Sequence, residues 1–517
     1  MDYFQYSLLN NNNKYLFLIH KYAVKPIKCH NVKKKKLTNS LLTKESENLL
    51  FHTFDDKLKP QVEELLSLGK SAGADLVEVF LEKSDNISLL AEQDDISNVS
   101  PSFGIGAGIR VFLGKKDGFV STNDLSKAGL LFALNQALGM LGLTTGSNNN
   151  DKFEGLKELK DFGSNKNDWL DHSPDLNEST LKLLEATNSL ADKNKNLQVR
   201  RASYSRNWQE VLVAASDGVF SRDIRLHQTV GINVIAQKDK HRSTSARRYG
   251  SSGNPDDLRN WDIEKSACEL NESAQKMLYA GFVEAGQMPV VLANKFGGVI
   301  FHEACGHLLE TTQLERGTSP FHDSINKQIA NEAVSAVDEG LSNHAFGSLS
   351  MDDEGMEPQN TLLIENGILK KFLSDRAGSL RTGHPRTGSG RRQNFSFAAA
   401  SRMRNTYIKQ GNFSPEELIK SVDDGLYCKS MGGGSVGPTG QFNFSVEEGY
   451  LIKNGKLDKP VKGATLIGEA KEILPRISMC ANDLDLAAGF CGSVSGSVNV
   501  TVGQPHIKVD SITVGGR

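Results

Sequence analysis

Beyond residue 73 the apolar residues of this chain alternate with polar ones, and this period of two restricts the region to half-buried strands. The alternating residues form two sets, Val77, Val79 and Leu81, then Ile87, Leu89 and Ala91. Helical spacing occurs in flanking stretches such as 62–66. Strands with one apolar face pair into antiparallel sheets whose apolar face is covered by other elements. We therefore expect an α+β fold.

At 517 residues the chain is too long for one ordinary core, so we expect two or three domains. The stretch 144–168 is polar and rich in Asn, Lys and Gly, which predicts a linker. It separates an N-terminal helix plus antiparallel-sheet domain, 55–143, from a middle α+β segment, 169–288. Residues 289–517 are dominated by strand patterns and glycine turns, which predict a C-terminal, mostly antiparallel β domain. Two Asn-Gly pairs in this region, at 366–367 and 454–455, predict β-hairpins.

Residues 1–54 differ in composition from the rest of the chain. They contain an Asn run at 10–13 and a Lys run at 33–36, and such runs cannot bury apolar surface. We expect a disordered or mis-started leader, with a basic interaction tail as the alternative.

Bulk charge and cysteine usage exclude several classes of protein. The formal net charge of -2 gives no indication of direct nucleic-acid binding. No stretch is long and apolar enough to predict a membrane span, and the best early candidate, 15–19, is far too short. The six cysteines are few and scattered for a disulfide framework, so we expect a cytoplasmic, reducing location.

The most informative segment is Phe301–His307, which contains His302, Glu303 and His307. It is similar to the His-Glu-x-x-His helix of zinc peptidases, with one extra residue between the histidines. We predict a helix from about 296 to 309. On a regular helix, residues five apart diverge by roughly 140°. We therefore expect a loosened turn such as a π-bulge, with Gly306 at the distortion.

These residue types suit zinc-dependent hydrolysis. Two neutral imidazoles, His302 and His307, would bind Zn²⁺ at ~2.0–2.1 Å, and a third protein ligand would complete the site. Glu303 would accept a proton from the attacking water and pass it to the leaving amine. The alternative is a helix on which the histidines serve unrelated purposes. The third ligand stays open at this point, with Cys305, Cys428, Cys480 and Cys491 as thiolate candidates.

Other segments carry a resemblance to a known family. They follow one another in order between about residues 57 and 517, and comprise Gly106–Val111, the His302–His307 block, Asp352–Gly355, Gly388–Arg392, Met431–Val436 and the run from Val502 to Gly516. In these segments the chain resembles the TldD/PmbA family of metallopeptidases, specifically its catalytic TldD type.

The resemblance implies the missing ligand and the assembly. In TldD-type proteins a cysteine near the C-terminus joins the two histidines on zinc, and Cys491 stands at that position, between Gly489 and Gly492. The implied substrate is a peptide or unfolded protein. The implied partner is a PmbA-type subunit in a hetero-oligomer, with a homodimer as the alternative. A non-catalytic scaffold or regulatory subunit of a PmbA-type complex is the competing function.

Three further segments allow more than one interpretation. Arg391 and Arg392 are either contacts to a substrate or partner, or ordinary surface charges. Asp352 and Asp353 are predicted to lie in a solvated turn rather than to bind metal. The glycine run 432–434 lacks the Lys-Ser/Thr ending of a phosphate-binding loop, so we predict a turn whose backbone passes close to another group.

Overall fold

A computed structural model describes residues 54–146, 153–166, 169, 176–191, 197–257, 259, 261–342, 344–437 and 439–516. The predicted leader lies outside these ranges apart from Phe54, which is buried and donates its backbone N–H to Glu210. No helix in the described ranges has the length and apolar composition needed to cross a bilayer.

The first half of the chain forms a single seven-stranded sheet with helices. The helices are α1 (Lys59–Ser71), α2 (Lys127–Gly139), α3 (Leu176–Ala191) and α4 (Ile263–Leu278). The strands are β1 (Leu76–Glu92), β2 (Asp95–Leu113), β3 (Lys116–Thr122), β4 (Lys160–Asp161), β5 (Leu197–Ala215), β6 (Phe220–Lys238) and β7 (His241–Ser252). The two alternating sets of the sequence therefore belong to one long strand, β1.

Strand β1 explains how the sheet is covered. The apolar residues among its odd-numbered positions pack into the cores beneath the four helices: Val77, Val79, Leu81, Ile87, Leu89 and Ala91. Its even-numbered residues point to the other face, where Glu78 and Glu82 are buried. β1 pairs with β2 on one side and with β5 on the other, so strands from both sides of the predicted linker share one sheet. The predicted domain boundaries stay a prediction.

The second half contains two larger sheets and short helices. The strands are β8 (Gly281–Phe282), β9 (Gly286–Leu292), β10 (Ala336–Glu339), β11 (Thr361–Glu365), β12 (Ile368–Leu369), β13 (Gly390–Arg391), β14 (Ala400–Ser401), β15 (Asn405–Ile408), β16 (Asp424–Val436), β17 (Gln441–Lys453), β18 (Lys456–Lys462), β19 (Thr465–Glu469), β20 (Ile477–Cys480), β21 (Asp485–Ser493), β22 (Gly496–Gln504) and β23 (Ile507–Gly515). The helices are α5 (Val299–Ala304), α6 (Thr311–Glu315), α7 (Arg376–Thr382), α8 (Pro415–Lys420) and α9 (Ala470–Ile473). The predicted α+β class is confirmed.

Pairing in this half is mostly antiparallel. One sheet has six strands in the order β12-β11-β10-β15-β22-β21, and the other has eight strands built around β9, β23 and β17. Both predicted Asn-Gly hairpins form, joining β11 to β12 and β17 to β18. Asn366 and Asn454 have φ values of 48° and 51°, the left-handed backbone that such two-residue turns require.

Two predictions about charged and glycine-rich segments are wrong. Asp352 and Asp353 are buried rather than solvated: Asp352 accepts backbone N–H groups, including that of Gly390 at 3.0 Å, and Asp353 pairs with Arg225 at 2.5 Å. The glycine run 432–434 is not a turn, because it lies inside the irregularly paired strand β16.

The arginines of the Gly388–Arg392 motif are also buried, so the surface-charge interpretation is wrong. Arg392 donates to Glu78 of β1 at 2.7 Å, and it therefore joins the first sheet to the C-terminal region. Arg391 donates to the carbonyl of Met403 at 2.7 Å. The ring of Phe395, three residues after Arg392, packs directly on Gly106 of β2. A Cβ built on Gly106 would lie 2.3 Å from this ring. The glycines of β2 therefore leave room for the segment that contains Phe395.

Candidate metal centre

His302, His307 and Cys491 meet in the interior of the C-terminal region. The Cys491 sulfur lies 3.2 Å from His302 Nε2 and 3.1 Å from His307 Nε2. The imidazole rings are 5.2 Å apart and nearly perpendicular. The three potential ligand atoms all lie within 4.8 Å of one another, and this is the only such His/Cys/Asp/Glu group in the described part of the chain.

The two histidines converge because the helix between them breaks. Helix α5 ends at Ala304, Cys305 takes φ -119° and ψ -52°, and a 3₁₀-helix follows over Gly306–Leu309. The expected π-bulge is therefore wrong. The tighter 3₁₀ turn after the break swings His307 back towards His302, so the five-residue spacing still places both rings on one side.

Gly306 is required by packing rather than by its φ angle. A Cβ built there would lie 2.2 Å from the sulfur of Met403. Gly306 also lies between Cys305 and His307, so any shift of this turn moves the His307 ring.

We expect Gly306→Ala to destabilise the fold by about 1–3 kcal/mol, the usual range for overpacking a core. The double variant with Met403→Ala relieves the clash, so its loss of stability should be smaller than the sum of the two single losses. Thermal unfolding of the four proteins in this cycle measures the coupling. Strictly additive losses would contradict the contact.

His307 is held in place by the carboxylate of Glu310. Its Nδ1 lies 3.0 Å from the Glu310 carboxylate, which is fully buried and also accepts the backbone N–H of Met403 at 3.2 Å. Burial alone would lower the pKa of His307, but Glu310 and then Cys491 raise it well above its ordinary value. A proton on Nδ1 leaves Nε2 free to bind a metal, the arrangement common in metal-ligating histidines.

Cys491 differs from the other buried cysteines. Burial alone would raise the pKa of its thiol, but the neighbouring imidazoles, His302 first, bring that pKa to about 3. Burial raises the pKa of Cys305 and Cys428, and that of Cys480 to about 12. Among these four buried cysteines, only Cys491 therefore has thiolate character, the form that binds metal.

Glu303 lies at the partly open side of this cluster. Its carboxylate oxygen is 3.6 Å from His307 Nε2, and about a quarter of its side chain is exposed. The carboxylate thus reaches solvent beside the atoms that converge on Cys491. This position suits a group that exchanges protons with water.

Two contributors to the site were missed in the sequence. Glu310 stands three residues after His307, a spacing that places a carboxylate next to an imidazole, and that signal was present. Arg402 donates to the backbone carbonyl of Cys491, and nothing in its sequence neighbourhood indicates this. Glu310 contacts the His307 ring, whereas Arg402 contacts the backbone of Cys491.

Family models cover nearly all of the described chain. The PmbA/TldA metallopeptidase domain 1 matches residues 77–141, the central domain of the same family matches 170–278, and its C-terminal domain matches 285–516. The chain therefore belongs to the PmbA/TldD family of metallopeptidases.

Individual relatives agree with this assignment. A protein named metalloprotease TldD homolog from Buchnera aphidicola is 34% identical over 459 residues, covering 86% of this chain and 93% of its own. A protein named zinc metalloprotease TldD homolog from Saccharolobus solfataricus is 36% identical over 257 residues, 50% of this chain and 58% of its own. The crystal structure of TldE from Thermococcus kodakarensis superposes with a TM-score of 0.69 at 20% identity, covering 88% of this chain and all of its own. The sequence relatives identify a metallopeptidase, and the TldE structure supports the fold.

Proposed function

We propose that this chain is a zinc-dependent peptidase in which His302, His307 and Cys491 bind zinc and Glu303 is the catalytic base. The observation that carries the proposal is the convergence of two imidazole nitrogens on one thiolate sulfur, at 3.1 and 3.2 Å. A partly exposed carboxylate lies beside them.

The donor set suits zinc. Tetrahedral zinc with three protein ligands leaves a fourth position for chemistry, and nitrogen and sulfur at its usual bond lengths of ~2.0–2.3 Å lie roughly 3.5 Å from each other. The separations around Cys491 are close to that value. His302 Nδ1 is buried and has no hydrogen-bond partner among the described residues. Nε2, which faces the Cys491 sulfur, is therefore the nitrogen of this ring that would bind the metal. The name of the Saccharolobus relative also favours zinc.

Each side chain has a distinct task. When bound, zinc supplies a Lewis acid that polarises the scissile carbonyl and lowers the pKa of a water toward ~7. Glu303 accepts the proton of the attacking water and delivers it to the leaving amine. Glu310 fixes the tautomer and the orientation of His307.

The proposed substrate is an unfolded or extended peptide. Strand β21 carries Cys491 and is the edge strand of the six-stranded sheet, pairing only with β22 among the described residues. An extended peptide can pair with a sheet edge through its backbone, which gives little dependence on side chains. A folded strand or helix cannot, because its backbone groups are already paired.

We further propose that the active form is a dimer, with a PmbA-type subunit or a second copy enclosing the site, and that it is cytoplasmic. The fold shared with a TldE protein is consistent with pairing between related subunits. No disulfide joins the five cysteines within the described residues, which suits a reducing compartment.

The test compares one polypeptide in a folded form and in a destabilised mutant form, with and without a PmbA-type partner. We expect the destabilised form to be cut and the folded form to resist, with much lower activity for the chain alone. Equal cleavage rates on both forms would contradict the proposal that the substrate must be unfolded. Full activity of the chain without a partner would contradict the proposal that a hetero-dimer is the active form.

The competing function is a non-catalytic scaffold. Metal analysis of the same purified protein separates the two possibilities, because a scaffold needs neither bound zinc nor hydrolysis. A metal-free protein that cuts no peptide, alone or with a partner, would favour the scaffold.

A further inference from the structure

We propose that Arg402 is the positioning residue that holds Cys491 at the metal centre. Arg402 has no exposed surface, and one of its terminal nitrogens donates to the carbonyl oxygen of Cys491. The inference rests on the proposed zinc site and extends it to a residue that does not touch the metal.

Within the described part of the chain, all the side-chain hydrogen bonds of Arg402 go to the hairpin of β21 and β22. Besides Cys491, it donates to Ser495 Oγ at 3.0 Å and to the carbonyl of Gly496 at 2.8 Å. Ser495 lies in the turn after β21, and Gly496 begins β22. One planar guanidinium therefore binds both the strand that carries the ligand and the turn that ends it, a geometry that suits an arginine fork better than a lysine.

The next residue reaches the other half of the site. The backbone N–H of Met403 donates to Glu310, which holds His307, and the Met403 sulfur packs where Gly306 has no side chain. Residues 402 and 403 thus contact the cysteine strand and the histidine turn together. Because the two parts are distant in sequence, this short stretch sets their relative position.

The charge of Arg402 points to a role beyond packing. Its bonds go to neutral oxygens, and no described carboxylate forms an ion pair with it. A buried cation without an anionic partner is costly. Arg404, two residues further on and equally buried, is paired with Asp338 at 2.6 Å and needs no such explanation.

The test measures zinc affinity by competition with a chelator, and the absorption of the cobalt-substituted protein, which reports the thiolate ligand. Arg402→Gln should weaken zinc binding by about 10–100-fold, the usual effect of removing a group that orients a ligand, and should diminish the cobalt–thiolate absorption. Arg402→Lys keeps the charge and should recover part of both. Ser495→Ala removes a single bond to Arg402 and should weaken binding by a few-fold.

Arg404→Lys is the matched control, because it alters an equally buried arginine whose side chain contacts neither half of the site. It should lower thermal stability while the folded protein keeps the wild-type zinc affinity. Wild-type affinity and cobalt spectrum in folded Arg402→Gln, or in Ser495→Ala should the Arg402 variants not fold, would overturn the role of Arg402. An equal loss of affinity in Arg404→Lys would also overturn it. If the unaltered protein binds no zinc through Cys491, the proposed function itself fails.

Discussion

Replacing Glu303 with Gln is expected to abolish most peptide hydrolysis while leaving zinc in place. Gln has nearly the same shape but cannot accept a proton at neutral pH. Because Glu303 is not among the proposed zinc ligands, metal content should stay near one zinc per chain. The rate should fall by about 100-fold or more, the usual contribution of a positioned general base. Metal analysis and a peptide-cleavage assay on the same preparation measure both quantities.

Glu310→Gln is the informative comparison for this variant. Glu310 contacts His307 at 3.0 Å, so its loss should weaken metal binding before it affects chemistry. Added zinc should therefore restore part of the activity of Glu310→Gln and none of that of Glu303→Gln. Near-normal hydrolysis by Glu303→Gln would assign the base to another residue and weaken the similarity to zinc peptidases of the His-Glu-x-x-His type.

Replacing Cys491 with Ala is expected to remove zinc almost completely. It deletes the thiolate on which both imidazoles converge, so the affinity should fall by more than about 100-fold, beyond the roughly 10–100-fold typical of a residue that only orients a ligand. Chelator competition on the purified, folded variant provides the measurement.

Cys305→Ala is the matched control, because Cys305 lies between His302 and His307 in the chain but faces the core. Its loss should cost about 1 kcal/mol of stability, similar to a one-methyl truncation, and leave zinc bound. The opposite result, with full zinc in Cys491→Ala and none in Cys305→Ala, would show that the third ligand was chosen wrongly.

The sequence predicted part of the local structure of the second half of the chain. The Asn-Gly hairpins formed because their geometry depends on two adjacent residues. The His302–His307 segment was recognised from residue types and spacing, but the break at Cys305 was not. Either a π-bulge or a change to 3₁₀ geometry can bring together two imidazole rings that are five residues apart. Met403, from a distant part of the chain, packs on Gly306 and favours the tight turn.

The buried charges could not be predicted for a different reason. Arg392 reaches Glu78 across 314 residues of sequence, and Asp353 reaches Arg225 across 128. Adjacent charged residues in a glycine-rich segment look solvated when no partner stands nearby in sequence. Only the fold shows that the first sheet provides these partners, Glu78 on β1 and Arg225 on β6. Arg402 was missed for the same reason.

The sequence distance between the parts of the candidate site has a consequence for biosynthesis. Cys491 follows His307 by 184 residues, so at about 5–20 residues per second a ribosome adds the cysteine roughly 10–40 s after the histidines. A nascent chain therefore carries an incomplete ligand set until residue 491 has been added. A peptidase that acts on unfolded polypeptides would thus lack its complete centre while its own chain is still unfolded.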